Sequence, residues 1–124
     1  MDWKYIKEKY SKAWNKLCEF HKDTNEGVAW IDHPDVWIHE GMEINAWELR
    51  HLYDFFDNEG LNIYLNLYGN YFKIILAPSF DWTKEGFWDT SKYHKDFKFV
   101  YDNRREAETA AFTKAFEILN DKLK

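Results

Sequence analysis

The sequence predicts an α+β domain, a small antiparallel sheet of three to five strands with two to three helices packed on one face. Three observations lead there. Apolar residues recur at helical spacing near both ends of the chain, and they alternate at strand spacing in between. A glycine-asparagine pair separates two alternating runs in the middle, which is the signature of a hairpin. The length of 124 residues accommodates one hydrophobic core of ordinary size, so a single domain over residues 1–124 is expected.

The first element is a helix from Trp3 to about Phe20. Trp3, Ile6, Tyr10, Ala13, Trp14 and Leu17 share one face, and Lys4, Lys7, Glu8, Lys12 and Lys16 hold most of the rest. Asp2 is placed to cap its N-terminus, and Asp23 to Gly27 forms a polar terminator. Val28 to Ile31 reads as a short strand and Val36-Trp37-Ile38 as a candidate second one, with Pro34 forcing a turn or an edge position between them. Asn45 then begins a helix as N-cap, with Glu48 three residues on. Trp47, Leu49, Leu52, Tyr53, Phe55 and Phe56 supply its apolar face, and Gly60 stops it.

In the hairpin, Leu61, Ile63, Leu65 and Leu67 alternate with Asn62, Tyr64, Asn66 and Tyr68. A turn at Gly69-Asn70 leads into Tyr71 to Leu76. A two-residue loop sets Tyr68 opposite Tyr71, so that Leu67 faces Phe72, Leu65 faces Ile74 and Ile63 faces Leu76, an all-apolar inner face. The other face carries Tyr64, Tyr68, Tyr71 and Ile75 around Asn66 and Lys73. That half-apolar surface either lies under the long segment that follows or meets a partner. The segment, Pro78 to Lys95, holds Phe80, Trp82, Phe87, Trp88 and Tyr93 without a clear period, and its rings either pack on the sheet or form a recognition loop. Phe97 to Tyr101 alternates as a further strand. A last helix follows, capped by Asn103 with Glu106 at its third position and running to about Leu123. Its apolar stripe is Ala107, Ala111, Phe112, Ala115, Ile118, Leu119 and Leu123.

Composition narrows the function. With 7 Trp, 8 Tyr and 10 Phe, aromatic residues are 20% of the chain, which excludes a disordered chain and leaves rings for an interface. The net charge of −5 argues against a basic nucleic-acid-binding surface. The one cysteine, Cys18, excludes an internal disulfide and a cysteine-built zinc site, and its place on the helix stripe reads as a small apolar filler. Met1-Asp2-Trp3-Lys4 leads directly into a charged helix with no signal-peptide pattern, and no apolar run has membrane-spanning length. A cytoplasmic location is expected.

Catalytic patterns are absent. Ser11, Ser79 and Ser91 lie in no nucleophile context, there is no phosphate-cradling glycine loop, and no cofactor is implied. His33, Asp35 and His39, with Glu40 and Glu43 beyond, contain metal-ligand chemistry without the spacing of a known site, and read as solvated loop charges. His33-Pro34-Asp35 matches the tripeptide of chaperone J-domains but lacks the two basic helices that flank it there.

The C-terminal run resembles a recurrent tail. Phe97-x-Phe99-x-Tyr101 followed by Arg105-Glu106-Ala107-Glu108-x-Ala110-Ala111-Phe112-x-Lys114-Ala115-Phe116-x-Ile118-Leu119 is similar to the last strand and helix of many small bacteriophage and prophage accessory proteins. The likeness covers this strand and helix alone. It implies an accessory protein that acts by stoichiometric binding to a host protein, such as a CRISPR effector or another defence component, as anti-CRISPR inhibitors do. The residues expected to meet that partner are Tyr64, Tyr68, Tyr71, Trp82, Phe87 and Trp88. Two alternatives stay open: nucleic-acid binding by base stacking on the sheet tyrosines, and a small-ligand or metal-binding domain around His33, Asp35 and His39.

Overall fold

A computed structural model describes residues 1–24, 34–38, 46–78, 93–95 and 97–123. Among them the order is α1 (Trp3–Lys9), α2 (Ser11–Thr24), α3 (Pro34–Trp37), α4 (Ala46–Glu59), β1 (Leu61–Tyr68), β2 (Tyr71–Pro78), β3 (Val100–Tyr101) and α5 (Arg104–Lys122). The strands form one antiparallel sheet in the order β1-β2-β3. The α+β class and the antiparallel sheet agree with the sequence reading. The candidate strand at Val28–Ile31, the Asn45 cap and the aromatic run from Phe80 to Trp88 lie outside the described residues.

The predicted first helix is two helices. Tyr10 leaves helical geometry at φ −116°, ψ 52°, between α1 and α2. The amides freed by the break are met from the other end of the chain. Asn120 of α5 presents Oδ1 to the backbone N–H groups of Lys12 (3.1 Å) and Ala13 (3.2 Å), and so caps α2 from a distance. The break leaves the apolar stripe intact: Trp3, Ile6, Ala13, Trp14 and Leu17 are all buried. Replacing Asn120 by alanine orphans two first-turn amides. It is expected to cost about 1 kcal/mol, read as a shift in the urea midpoint with unchanged slope.

Val36-Trp37-Ile38 is not a strand. Pro34 opens the short helix α3, where a missing N–H costs nothing, and Asp35 sits in its first turn. Trp37 is fully buried against Trp3 and Trp14, with ring centroids 5.0 and 6.4 Å away. Three consecutive apolar residues carry no period, so a short strand and a single helical turn read alike in sequence.

The hairpin register is as the two-residue turn requires, from Tyr68 opposite Tyr71 to Ile63 opposite Leu76. Gly69 takes φ +58°, which a side chain would strain. The third strand is shorter than its alternation suggests. Only Val100 and Tyr101 pair as β3, opposite Lys73 and Phe72, although Ile74 N–H still reaches the Phe99 carbonyl at 2.8 Å. Asn103 caps α5, its Oδ1 accepting from the N–H groups of Arg105 (2.8 Å) and Glu106 (3.3 Å).

Helices α4 and α5 cover the inner face of the sheet, and α5 also packs against α2. Helix α5 is therefore buried on more than one side. Phe116, outside the predicted stripe, sits between Trp14 of α2 and Phe55 and Phe56 of α4. Beside this aromatic core, Glu108 is buried and accepts from the Tyr53 hydroxyl at 3.2 Å, with Arg104 Nε at 3.5 Å from its other oxygen. Burial, then the carboxylate, raises the Tyr53 hydroxyl well above its ordinary range, so it stays a donor.

Candidate functional site

The hairpin extends past the helices. Along the inner face of β1, Leu61 is fully buried, Ile63 is 6% exposed, Leu65 is half-buried and Leu67 is 64% exposed. Burial fades towards the turn because the covering helices do not reach it. Leu67, which alternation assigns to the core, is instead the most exposed large apolar side chain among the described residues. Alternation shows which face a side chain is on, but not where the opposing layer ends.

The outer face of the same end carries Tyr64 (52% exposed), Tyr68 (46%) and Tyr71 (41%). Tyr68 and Tyr71 are directly opposite, and their rings stack with centroids 6.1 Å apart at 26°. Cross-strand aromatic stacking of this kind holds both side chains in place before any partner arrives. Asn66 and Lys73 are opposite each other two residues further from the turn, and Tyr64 lies opposite half-buried Ile75. Val100, 41% exposed, extends the surface across β3 opposite Lys73. The strand residues of this outer face thus combine tyrosines, asparagines, aliphatics and one lysine, without a carboxylate.

Of the six residues expected at a partner surface, Tyr64, Tyr68 and Tyr71 are brought together here. Trp82, Phe87 and Trp88 lie outside the described residues. The structure adds Leu67 and Val100 to this end of the sheet; the signal for them in sequence is their position at the turn end and in a short edge strand.

The surroundings of Asp35 give it a structural role. Its Oδ1 accepts from Lys7 Nζ at 3.0 Å and from Trp14 Nε1 at 3.1 Å. The carboxylate anchors α3 to α1 and α2, satisfying the indole of a buried tryptophan. His33 and His39 lie outside the described residues. Among the described residues no group of three or more histidine, cysteine or carboxylate side chains is arranged to hold a metal ion. Cys18 is half-buried; burial first, then the Asp35 charge, pushes its thiol up to about 11, which leaves it a poor nucleophile.

A second polar feature is internal. His21 and His51 are buried with ring centroids 5.2 Å apart, edge to face. His51 also meets Phe20 at 5.1 Å and Trp37 at 6.2 Å. Burial first, then the neighbouring imidazole of His21, lowers His51 to about 4. At neutral pH this ring is uncharged and packs as an aromatic.

Among the described residues no helix is long and apolar enough to cross a membrane. Comparison with protein-family models, with curated proteins and with solved structures returns no match.

Proposed function

We propose that this chain is a non-catalytic binding protein that engages a protein partner through the turn end of its hairpin, with Tyr64, Tyr68 and Tyr71 as the anchors. The observation that carries the reading is the contrast in aromatic placement. The rings of Trp3, Trp14, Trp37, Phe55, Phe56, Phe112 and Phe116 are buried, while three tyrosines stand together on one projecting face. Tyrosine presents a large contact area at low entropic cost and a hydroxyl that tolerates water when unbound, which suits it to a surface exposed between encounters. Following the resemblance of its C-terminal strand and helix, the partner is a host protein, such as a CRISPR effector or another defence component. The effect of binding is then inhibition by occlusion at one-to-one stoichiometry.

The test is capture from host lysate with the tagged chain and with its Tyr68→Ala/Tyr71→Ala variant. The expected result is one host protein retained in equimolar amount by the natural sequence. The double variant, folded as judged by circular dichroism, should bind that protein at least about 30-fold more weakly, equivalent to about 2 kcal/mol. Full binding by the variant would place the interface elsewhere. Salt-sensitive capture of single-stranded RNA or DNA would move the reading to base stacking on the same tyrosines.

A further inference from the structure

Among the described residues the sheet has two edges, and they are built differently. At β3 the paired strand is only two residues long, and it is flanked by the exposed charges of Lys98 and Asp102. That is how natural sheets discourage an additional strand. At the other edge β1 runs for eight residues, Leu-Asn-Ile-Tyr-Leu-Asn-Leu-Tyr, with no charged side chain and no proline. Its pairing with β2 is continuous, with no bulge to twist the edge away. Charged residues are 31% of the chain, so an eight-residue edge with none is a local departure. Among the described residues its strand partner is β2 alone.

Hairpin stereochemistry says which backbone groups this edge offers. The pair flanking a two-residue turn, Tyr68 and Tyr71, exchanges both hydrogen bonds, and the pattern alternates from there. The N–H and C=O groups of Leu61, Ile63, Leu65 and Leu67 therefore point to the outer edge.

We propose that β1 pairs antiparallel with β1 of a second copy of this chain, across a two-fold axis normal to the sheet near Leu65. The strand is self-complementary in that register. Leu65 faces its own copy and Ile63 faces Leu67 of the second chain. On the other face Tyr64 meets Asn66, and Asn62 meets Tyr68. Every rung matches apolar with apolar or polar with polar, and no like charges meet. Two copies that each carry a net charge of −5 repel over most of their surface, so an uncharged strand is where they can approach. Pairing also covers Leu67, which the protein's own helices leave 64% exposed. The product is a six-stranded sheet with both tyrosine faces on the same side. The dimer is made by backbone pairing along the strand edge, with Tyr64 and Tyr68 on its rungs and Tyr71 on β2 outside them, and it does not rest on the partner reading.

Sedimentation velocity of the full chain from about 1 to about 100 µM, a range spanning a micromolar Kd, tests it. The expected species has twice the 15.2 kDa monomer mass. Leu67→Lys sets a charge against Ile63 of the second copy, and Leu67→Pro removes one outer-edge N–H. Both alter an exposed position, and both should yield folded monomers. Hydrogen exchange supplies the backbone readout: amides of Ile63 and Leu65 should be protected at high concentration and exchange at least about 10-fold faster in the lysine variant. A monomer across the whole range overturns the proposal, as does a dimer that survives both substitutions. Protection of these amides in a monomer also overturns it, since the edge would then be paired within the chain. A dimer that persists in Tyr71→Ala, a β2 residue away from the pairing edge, while partner capture is lost supports the dimer and keeps the failure of one reading distinct from that of the other.

Discussion

Phe116→Ala is expected to lower the free energy of unfolding by about 4 kcal/mol, near the upper end of what truncating one core side chain costs. The ring is fully buried, with Trp14 at 6.4 Å, Phe55 at 6.5 Å and Phe56 at 5.1 Å. It is the point where α2, α4 and α5 meet. The neighbours are rigid rings on two other helices, so they cannot collapse into the space a methyl leaves, and the cavity term adds to the lost transfer energy. For a domain of this size such a loss is a large fraction of total stability. Urea unfolding followed by tryptophan fluorescence measures it. A loss under about 1.5 kcal/mol would show that the helices close around the site and that the core is loosely packed there. Phe116→Leu, which keeps most of the volume, should recover more than half of the difference.

The second large effect is on pH. His51 titrates at about 4 in the folded protein against 6.5 for an ordinary imidazole. Above pH 6.5 the ring is neutral in both states and contributes no pH dependence. Between 6.5 and about 4 the unfolded chain binds a proton that the folded chain does not, so stability falls as pH falls. Below about 4 both states are protonated and the loss is complete, on the order of 3 kcal/mol. Asp54 on the same helix opposes the shift, and the imidazole of His21 adds to it. Carboxylates titrate in the lower part of this window too, so the informative quantity is a difference between variants. Unfolding free energies at pH 7.5, 6, 5 and 4.5 should diverge between the natural sequence and His51→Phe, with the phenylalanine variant losing less on acidification. Parallel curves would show that the ring is solvated or paired in its charged form.

Much of this architecture is legible in the sequence, because the signals involved are local. The stripe Trp3, Ile6, Ala13, Trp14, Leu17 is a property of residue spacing. The hairpin register follows from two alternating runs and a turn that only one register closes. Asp2 and Asn103 are recognisable as caps because a side chain and the amides it satisfies lie within three residues of each other. The tyrosine face is legible for the same reason: once Tyr68 is opposite Tyr71, Tyr64 must share their side of the strand.

What the tertiary structure alone decides is where one layer stops and another begins. Asn120 caps α2 across more than a hundred residues, so nothing near Tyr10 announces the break between α1 and α2. Val36-Trp37-Ile38 reads as a strand in sequence because an apolar run this short has no period to distinguish a strand from one helical turn. Phe116 falls outside the predicted stripe because a stripe presumes one buried face, whereas α5 has the sheet on one side and α2 on another. Leu67 reads as a core residue because alternation carries no information about how far the helices extend. Local stereochemistry sets the face on which each side chain lies; which parts of that face meet another layer depends on helix lengths and crossings set by contacts remote in sequence.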